Sequence, residues 1–414
     1  MDIRITPAAL TGTVTPPPSK SMAHRLLITA ALSGGRSVIS GLADSQDILA
    51  TRRCLSALGA WIEDLSPGTV RVHGLGNAIV EAGPAPILDC GESGSTLRFL
   101  IPVALLVNGQ AEFVGHGRLM ERPLKPYETL FREKGIVWKL ENGVLNLDGG
   151  KGYDDYALSA GAYRLPGNVS SQFFTGLLFV LPLLDGDSTL IPTTPLESIG
   201  YLNMTREAQQ RAGVVSDWQG DTLLIPGNQR YQPFEAETEA DWSQAAFWYT
   251  AAFLDHSVTL SGLNPASSQG DRVISELYWK LARPGDAEID LSDCPDLLPP
   301  LAVMAAVRSG ATRFVNAARL RMKESDRLAT TAALLKALGG RVVERPDGLD
   351  VQGGTRFSGC TVDGANDHRI VMAAAIAATR ASGPVTISGA EAVNKSYPSF
   401  WEEYQRLGGV IHVL

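Results

Sequence analysis

Cysteine is scarce: the 414 residues contain Cys54, Cys90, Cys294 and Cys360 and no others. The four lie far apart in the chain and show none of the paired spacings of a zinc site, which suits buried thiols in a reducing compartment. No disulfide, metal or other cofactor is expected. Long apolar runs are missing as well, since no stretch reaches the roughly 20 residues that span a bilayer. The opening MDIRITPAAL has no basic stretch followed by an apolar one, so a secretory leader is not read there and a cytoplasmic protein is expected. Positive charge is in deficit, 36 Lys and Arg against 44 Asp and Glu, for a net charge of −8. Non-specific binding to nucleic acid or to an anionic membrane is therefore not expected, and any anion site must gather its cations locally.

What the chain does have is size and an ordinary globular composition, with 44% hydrophobic and 19% charged residues. Its length exceeds what one hydrophobic core usually organises, so two domains are expected. A pattern of β-branched strand, then Gly or a polar residue, then a small loop recurs at SVISGL, AEFVGHGRL, STLIPTTPL, SVTLSGL, ATRFVNAARL and PVTISGA. The markers Gly41, Gly115, Pro192, Gly262, Asn316 and Gly389 follow one another at about 70–77 residues, except that the step from Gly262 to Asn316 is about 54. A second pattern, a helix ending in Gly followed by two short strands, interleaves with it, and its fourth copy near Arg283 to Leu291 is blurred. An almost wholly apolar helical stretch precedes each marker, as at Leu97 to Leu106 or Leu298 to Val307, which places these helices centrally. Six units of two helices and several strands divide most simply into two domains of three.

Polar residues collect just before each apolar helix: PSKSMAHR, CGESGST, NVSSQ, EADWSQ, DCPDL and NDHR. Capping by Ser, Asp and Asn explains part of this. It does not explain Lys20, Arg25 and Arg369, because a cation opposes the dipole at a helix start, and an anion held there would remove the conflict. Lys323 and Arg327 stand four residues apart and are expected on one helical face, beside Glu324. With Arg122 and Lys395 the cations number seven in an acidic protein, enough for ligands carrying several phosphates and carboxylates.

The ordered set PSKSxxxR, GESGST followed by LR, ERP, SSQF, KESDR, NDHR and NKSYP resembles the EPSP synthase family of enolpyruvyl transferases over essentially the whole chain. That resemblance implies an α/β fold of two domains, each of three βαβαββ-type repeats with central helices and outer sheets, an inside-out α/β barrel. It implies domain boundaries of 1–18 plus 230–414 and 19–229, with the site between the domains. It also implies two small-molecule substrates, shikimate 3-phosphate and phosphoenolpyruvate, with no nucleic acid or membrane partner, and a monomer.

Carried over by motif, Lys20, Ser21 and Arg25 are expected to bind shikimate 3-phosphate together with Ser170, Ser171, Gln172, Ser198, Tyr201, Asp296 and Lys323. Phosphoenolpyruvate is expected at Lys20, Gly94, Arg122, Gln172, Glu324, Arg327, Arg369 and Lys395. Asp296, Lys323, Glu324, Lys20 and His368 form the expected catalytic set, with Asp296 taking the hydroxyl proton, Lys323 or Glu324 delivering one, and His368 serving in acid–base chemistry or orienting Glu324. Two residues depart from the family pattern: Glu92 stands where Asn is common, and is expected to point away from an anion or be paired, and Arg319 stands where Asn is frequent. The UDP-N-acetylglucosamine enolpyruvyl transferases resemble the chain less, because their catalytic Cys would fall in RLMERPLKP, which has none.

Overall fold

Each of the six marker segments is a β-strand in the computed structural model, which describes residues 1–76, 84–149 and 158–414. The residue closing four of these strands takes a left-handed backbone: Gly41 (φ 65°), Gly262 (φ 75°), Asn316 (φ 57°) and Gly389 (φ 63°). Gly and Asn are the residues that tolerate that conformation, which is why they punctuate the repeat. The chain forms two compact units, a contiguous one, Pro18–Glu239, and a discontinuous one, Met1–Pro17 with Ala240–Leu414.

In the contiguous unit three four-stranded sheets share one plan. The marker strand pairs in parallel with a short strand on one side and antiparallel with a hairpin on the other. The marker strands are Arg36–Ser40, Gln110–Val114 and Ser188–Pro192. The helices are α1 (Lys20–Leu32), α2 (Gln46–Ala57), α3 (Gly94–Asn108), α4 (Lys125–Glu133), α5 (Ser171–Val180) and α6 (Ile199–Arg211). Helices α1, α3 and α5 are buried nearly all round, as their unbroken apolar sequences require, whereas α2, α4 and α6 bury one side.

The discontinuous unit carries α7 (Trp242–Phe253), α8 (Ile274–Ala282), α9 (Leu298–Val307), α10 (Arg327–Ala337), α11 (His368–Ala378) and α12 (Phe400–Arg406), with α7, α9 and α11 central. Two of its sheets follow the four-stranded plan. In the second of them the N-terminal strand Ile3–Thr6 lies between Val385–Ser388 and Val410–Val413, in the place a hairpin strand takes elsewhere. The third sheet has two strands only, Thr11–Val14 and Ser257–Leu260. Here α8 passes through residues 283–286 straight into Ala287–Asp290, which pairs with the next marker strand, so the fourth repeat has no hairpin. The short step between Gly262 and Asn316, and the blurred fourth copy, are this missing hairpin.

Two strands are exchanged where the chain crosses between units. Thr11–Val14, which precedes α1, pairs with Ser257–Leu260, and Glu235–Glu237, which precedes α7, pairs with Arg36–Ser40. Residues 230–239 therefore belong with the contiguous unit, and the division falls after Glu239 rather than after residue 229. Among the described residues no helix is long and apolar enough to cross a membrane.

Candidate active-site residues

Side-chain caps set the starts of five central helices. Ser19, Ser93, Ser170, Asp241 and Asp367 each accept a backbone N–H of the first turn of α1, α3, α5, α7 and α11. The sixth, α9, is preceded by the 3₁₀ turn Pro295–Leu297, which carries Asp296 and leaves its carboxylate available for side chains of the discontinuous unit.

That carboxylate lies in a cage of cations. Its Oδ1 accepts Arg327 Nη1 at 2.8 Å and stands 3.3 Å from Lys323 Nζ, and its Oδ2 accepts Arg369 Nη2 at 3.1 Å. Arg327, 1% exposed, also donates to Glu324 Oε2 at 2.5 Å and to Asp367 Oδ2 at 2.8 Å. Asp367 accepts the Ser325 hydroxyl at 2.9 Å besides capping α11 through the Arg369 N–H. Lys395 donates to the Asn366 carbonyl at 2.7 Å, and His368 is buried at the first position of α11. Lys323 and Arg327 do not share a helical face: the Asp326 cap makes α10 begin at Arg327, and Lys323 precedes it in extended backbone. They meet through Asp296 instead. Arg319, the second departure from the family pattern, is buried and donates to the Ser292 carbonyl.

Charge and burial work against each other here. Burial would raise the Asp296 carboxyl, but Arg369, Lys323 and Arg327 hold it well below the usual carboxylate range. Burial lowers the Lys323 ammonium to about 8, with Asp296 opposing the shift. For Arg327 burial is outweighed by Asp367, Glu324 and Asp296, which raise it. Asp271, buried in the turn Gly270–Val273, is pushed up to about 7 by burial and by Asp296, against the pull of Arg369 and a hydrogen bond with Ser243. The sequence pointed to none of Asp271, Asp367 and Ser325 individually, because each is one polar residue inside a longer polar cluster.

In the contiguous unit Arg25 is buried along α1. Its guanidinium donates to the Ser21 carbonyl at 2.6 Å, the Tyr201 carbonyl at 2.9 Å and the Thr205 hydroxyl at 2.9 Å, and lies over the Phe99 and Tyr201 rings. Burial lowers it to about 10. Ser198, left-handed at φ 58°, opens α6, and its carbonyl accepts the Tyr201 N–H. Lys20 pairs with Asp47 at 2.7 Å. Ser170 and Ser171 start α5, where the Gln172 side chain is held from both ends, accepting Arg98 Nη1 at 2.7 Å and donating to the Ser95 hydroxyl at 3.0 Å. Arg98 also reaches the Pro123 carbonyl and lies over the Phe173 ring. Gly94 opens α3 so close to Arg122 that a Cβ on it would meet the guanidinium at 2.7 Å. The Glu92 carboxylate lies against Gly117. Asp47 and Arg98 were not foreseen; only the LR following GESGST hinted at the latter.

A protein with two units of helix-centred αβ repeats, a cation-caged carboxylate in one and a buried arginine and half-buried glutamine near helix starts in the other, has the makings of an enzyme for polyanionic small molecules. The sequence profile of the family described as EPSP synthase (3-phosphoshikimate 1-carboxyvinyltransferase) matches residues 5–404. Relatives named 3-phosphoshikimate 1-carboxyvinyltransferase are 43% identical in Clostridium acetobutylicum and 42% in Clostridium kluyveri, each alignment covering 99% of this chain and 98% of the relative. A solved EPSP synthase from Acinetobacter baumannii superposes with a TM-score of 0.80 at 25% identity over 100% of both chains. The enolpyruvyl transferase NikO from Streptomyces tendae shares the fold, with a TM-score of 0.76 at 17% identity over 99% of this chain and 98% of that one. The chain belongs to the EPSP synthase family.

Proposed function

We propose that the chain transfers the 1-carboxyvinyl group of phosphoenolpyruvate to the 5-hydroxyl of shikimate 3-phosphate, releasing phosphate. Supporting this reading, beyond membership of the family, is the cage in which Lys323, Arg327 and Arg369 surround the buried Asp296. In this reading Arg25, Ser170, Ser171, Gln172, Ser198 and Tyr201 bind the phosphorylated acceptor, with Lys20 and Ser21. Gly94, Arg122, Arg327, Arg369 and Lys395 bind the phosphoenolpyruvate anion.

Asp296 takes the proton of the acceptor hydroxyl as its oxygen bonds to C2 of phosphoenolpyruvate. Lys323, whose ammonium sits near neutrality, or Glu324 delivers a proton to C3. The tetrahedral adduct then loses one methyl proton and phosphate to give the enol ether. Without substrate the three cations make Asp296 a weak base; carboxylate and phosphate groups of the ligands, drawing those cations to themselves, restore its basicity. His368, buried at the first position of α11, serves in acid–base chemistry or orients Glu324. Phosphate release on mixing shikimate 3-phosphate with phosphoenolpyruvate tests the proposal, and release with UDP-N-acetylglucosamine but not with shikimate 3-phosphate would overturn it. The same reading makes the enzyme a cytoplasmic monomer, to be checked by sedimentation.

A further inference from the structure

The repeat that lacks its hairpin leaves a gap. Elsewhere in the discontinuous unit the second helix of a repeat leads into a further sheet strand, as α10 does into Arg341–Arg345 and α12 into Val410–Val413. At the end of α8, where the fourth repeat would do the same, lies a cavity of about 670 Å³ formed entirely by the discontinuous unit. Small-molecule pockets commonly fall between about 300 and 1,000 Å³.

Its lining has two characters. Leu254, Leu281 and Phe357 are buried and form an apolar floor, with Phe253 and Val307 half-buried beside them. Four arginines and a single carboxylate, Asp255, stand around that floor. Arg308 is buried and clamps the end of α8, donating to the Leu281 carbonyl at 2.7 Å and to the Arg283 carbonyl. Arg380 pairs with Asp255 at 3.7 Å. Arg283 and Arg356 are exposed and have no carboxylate partner among the described residues. Helix ends attract cations, which accounts for Arg308 and Arg283. It does not account for Arg356, which is carried on the loop between the strands Gly348–Gln352 and Cys360–Asp363. In a chain with an excess of acidic residues, an apolar hollow rimmed by unpaired arginines runs against composition. Arginine's planar fork matches carboxylate and phosphate oxygens in pairs.

We propose that this cavity binds a small organic acid, an apolar ring or chain bearing one carboxylate or phosphate, with the apolar part on Leu254, Leu281 and Phe357 and the acid group between Arg283 and Arg356. It is a second ligand site, made of residues that the transfer reaction does not use.

The test is fluorine NMR of 4-(trifluoromethyl)benzoate added to the full-length protein. Saturable broadening is expected with a dissociation constant on the order of 1 mM or tighter. The neutral 4-(trifluoromethyl)benzyl alcohol should bind at least tenfold more weakly, and so should 4-(trifluoromethyl)benzoate to the Arg283→Gln/Arg356→Gln variant. Both arginines are exposed, so the variant should keep the wild-type thermal midpoint and transferase activity. Phenyl phosphate and inorganic phosphate added as competitors distinguish the acid groups: displacement by phenyl phosphate alone extends the site to phosphates with an apolar body. Crowding the mouth with Ser309→Trp should abolish binding in an independent way. The proposal is overturned if no saturable signal is seen, if inorganic phosphate displaces the probe as well as phenyl phosphate does, if shikimate 3-phosphate and phosphoenolpyruvate displace it, or if both variants bind as the wild type does.

Discussion

Replacing Arg327 by methionine keeps most of the buried stem at the start of α10 but removes the guanidinium that three carboxylates share. Asp367, 0% exposed at its side chain, then holds its charge without its ionic partner, and Glu324 loses its bond at 2.5 Å. Breaking a buried pair by removing one member costs about 3–5 kcal/mol, because the remaining charge stays desolvated. Lys323 and Arg369 still face Asp296, so the loss should sit near the lower figure. Two units need not unfold together, so the measurement is native-state hydrogen exchange of the slowest amides in α9 and α11. The pH dependence carries the sign. In the wild type the depressed Asp296 contributes stability that is present above the ordinary carboxylate range and is lost as pH falls towards its folded value. In the variant, protonation relieves carboxylates that have lost their cation, so acid helps it. The deficit should therefore be largest near pH 7.5 and shrink below the ordinary carboxylate range, towards about pH 3, and adding Asp367→Asn should recover at least ~1 kcal/mol at pH 7.5. A deficit below ~1 kcal/mol, or one equal at both pH values, would refute the argument that these charges depend on Arg327.

Asp296→Asn keeps the shape but not the base, and kcat should fall at least ~100-fold with little change in the KM of shikimate 3-phosphate; near-normal turnover removes the residue from that role. Gly94→Ala puts a methyl group 2.7 Å from the Arg122 guanidinium, so the KM for phosphoenolpyruvate should rise several-fold more than that for shikimate 3-phosphate, and equal effects would assign Gly94 to the turn alone. With Lys323 lowered to about 8, its proton is lost as pH rises through that value, and kcat/KM should show an alkaline limb near pH 8. A profile flat to pH 9.5 would hand proton delivery to Glu324.

The repeat was legible because it is written in local chemistry: a left-handed Gly or Asn after four of the six marker strands, and helices too apolar to lie anywhere but inside. Pairings across the chain were not. Nothing in the sequence near Glu235–Glu237 says that its partner is Arg36–Ser40, since strand exchange depends on which edge is open once the helices have packed. At the site the motifs delivered Asp296, Lys323, Glu324, Arg327 and Arg369 as neighbours, and the structure brings those five into one contact network. The motifs could not deliver the supporting groups. Asp47, Arg98 and Asp271 act through side chains whose reach is set only by the tertiary fold. The expected Lys323–Arg327 helical stripe failed for a simple reason: a spacing of four counts as a face only where the helix has already begun.

The strand Ile3–Thr6 carries a consequence for how the protein is made. Its neighbours Val385–Ser388 and Val410–Val413 lie roughly 380–410 residues further along the chain and emerge from the ribosome, at 5–20 residues per second, roughly 20–80 s after the strand itself. Through that interval the contiguous unit can finish folding, while the first strand trails with neither ladder edge satisfied, as open to a neighbouring nascent chain as to its own. Translation speed, rather than the stability of the finished enzyme, thus decides how long this strand is left exposed.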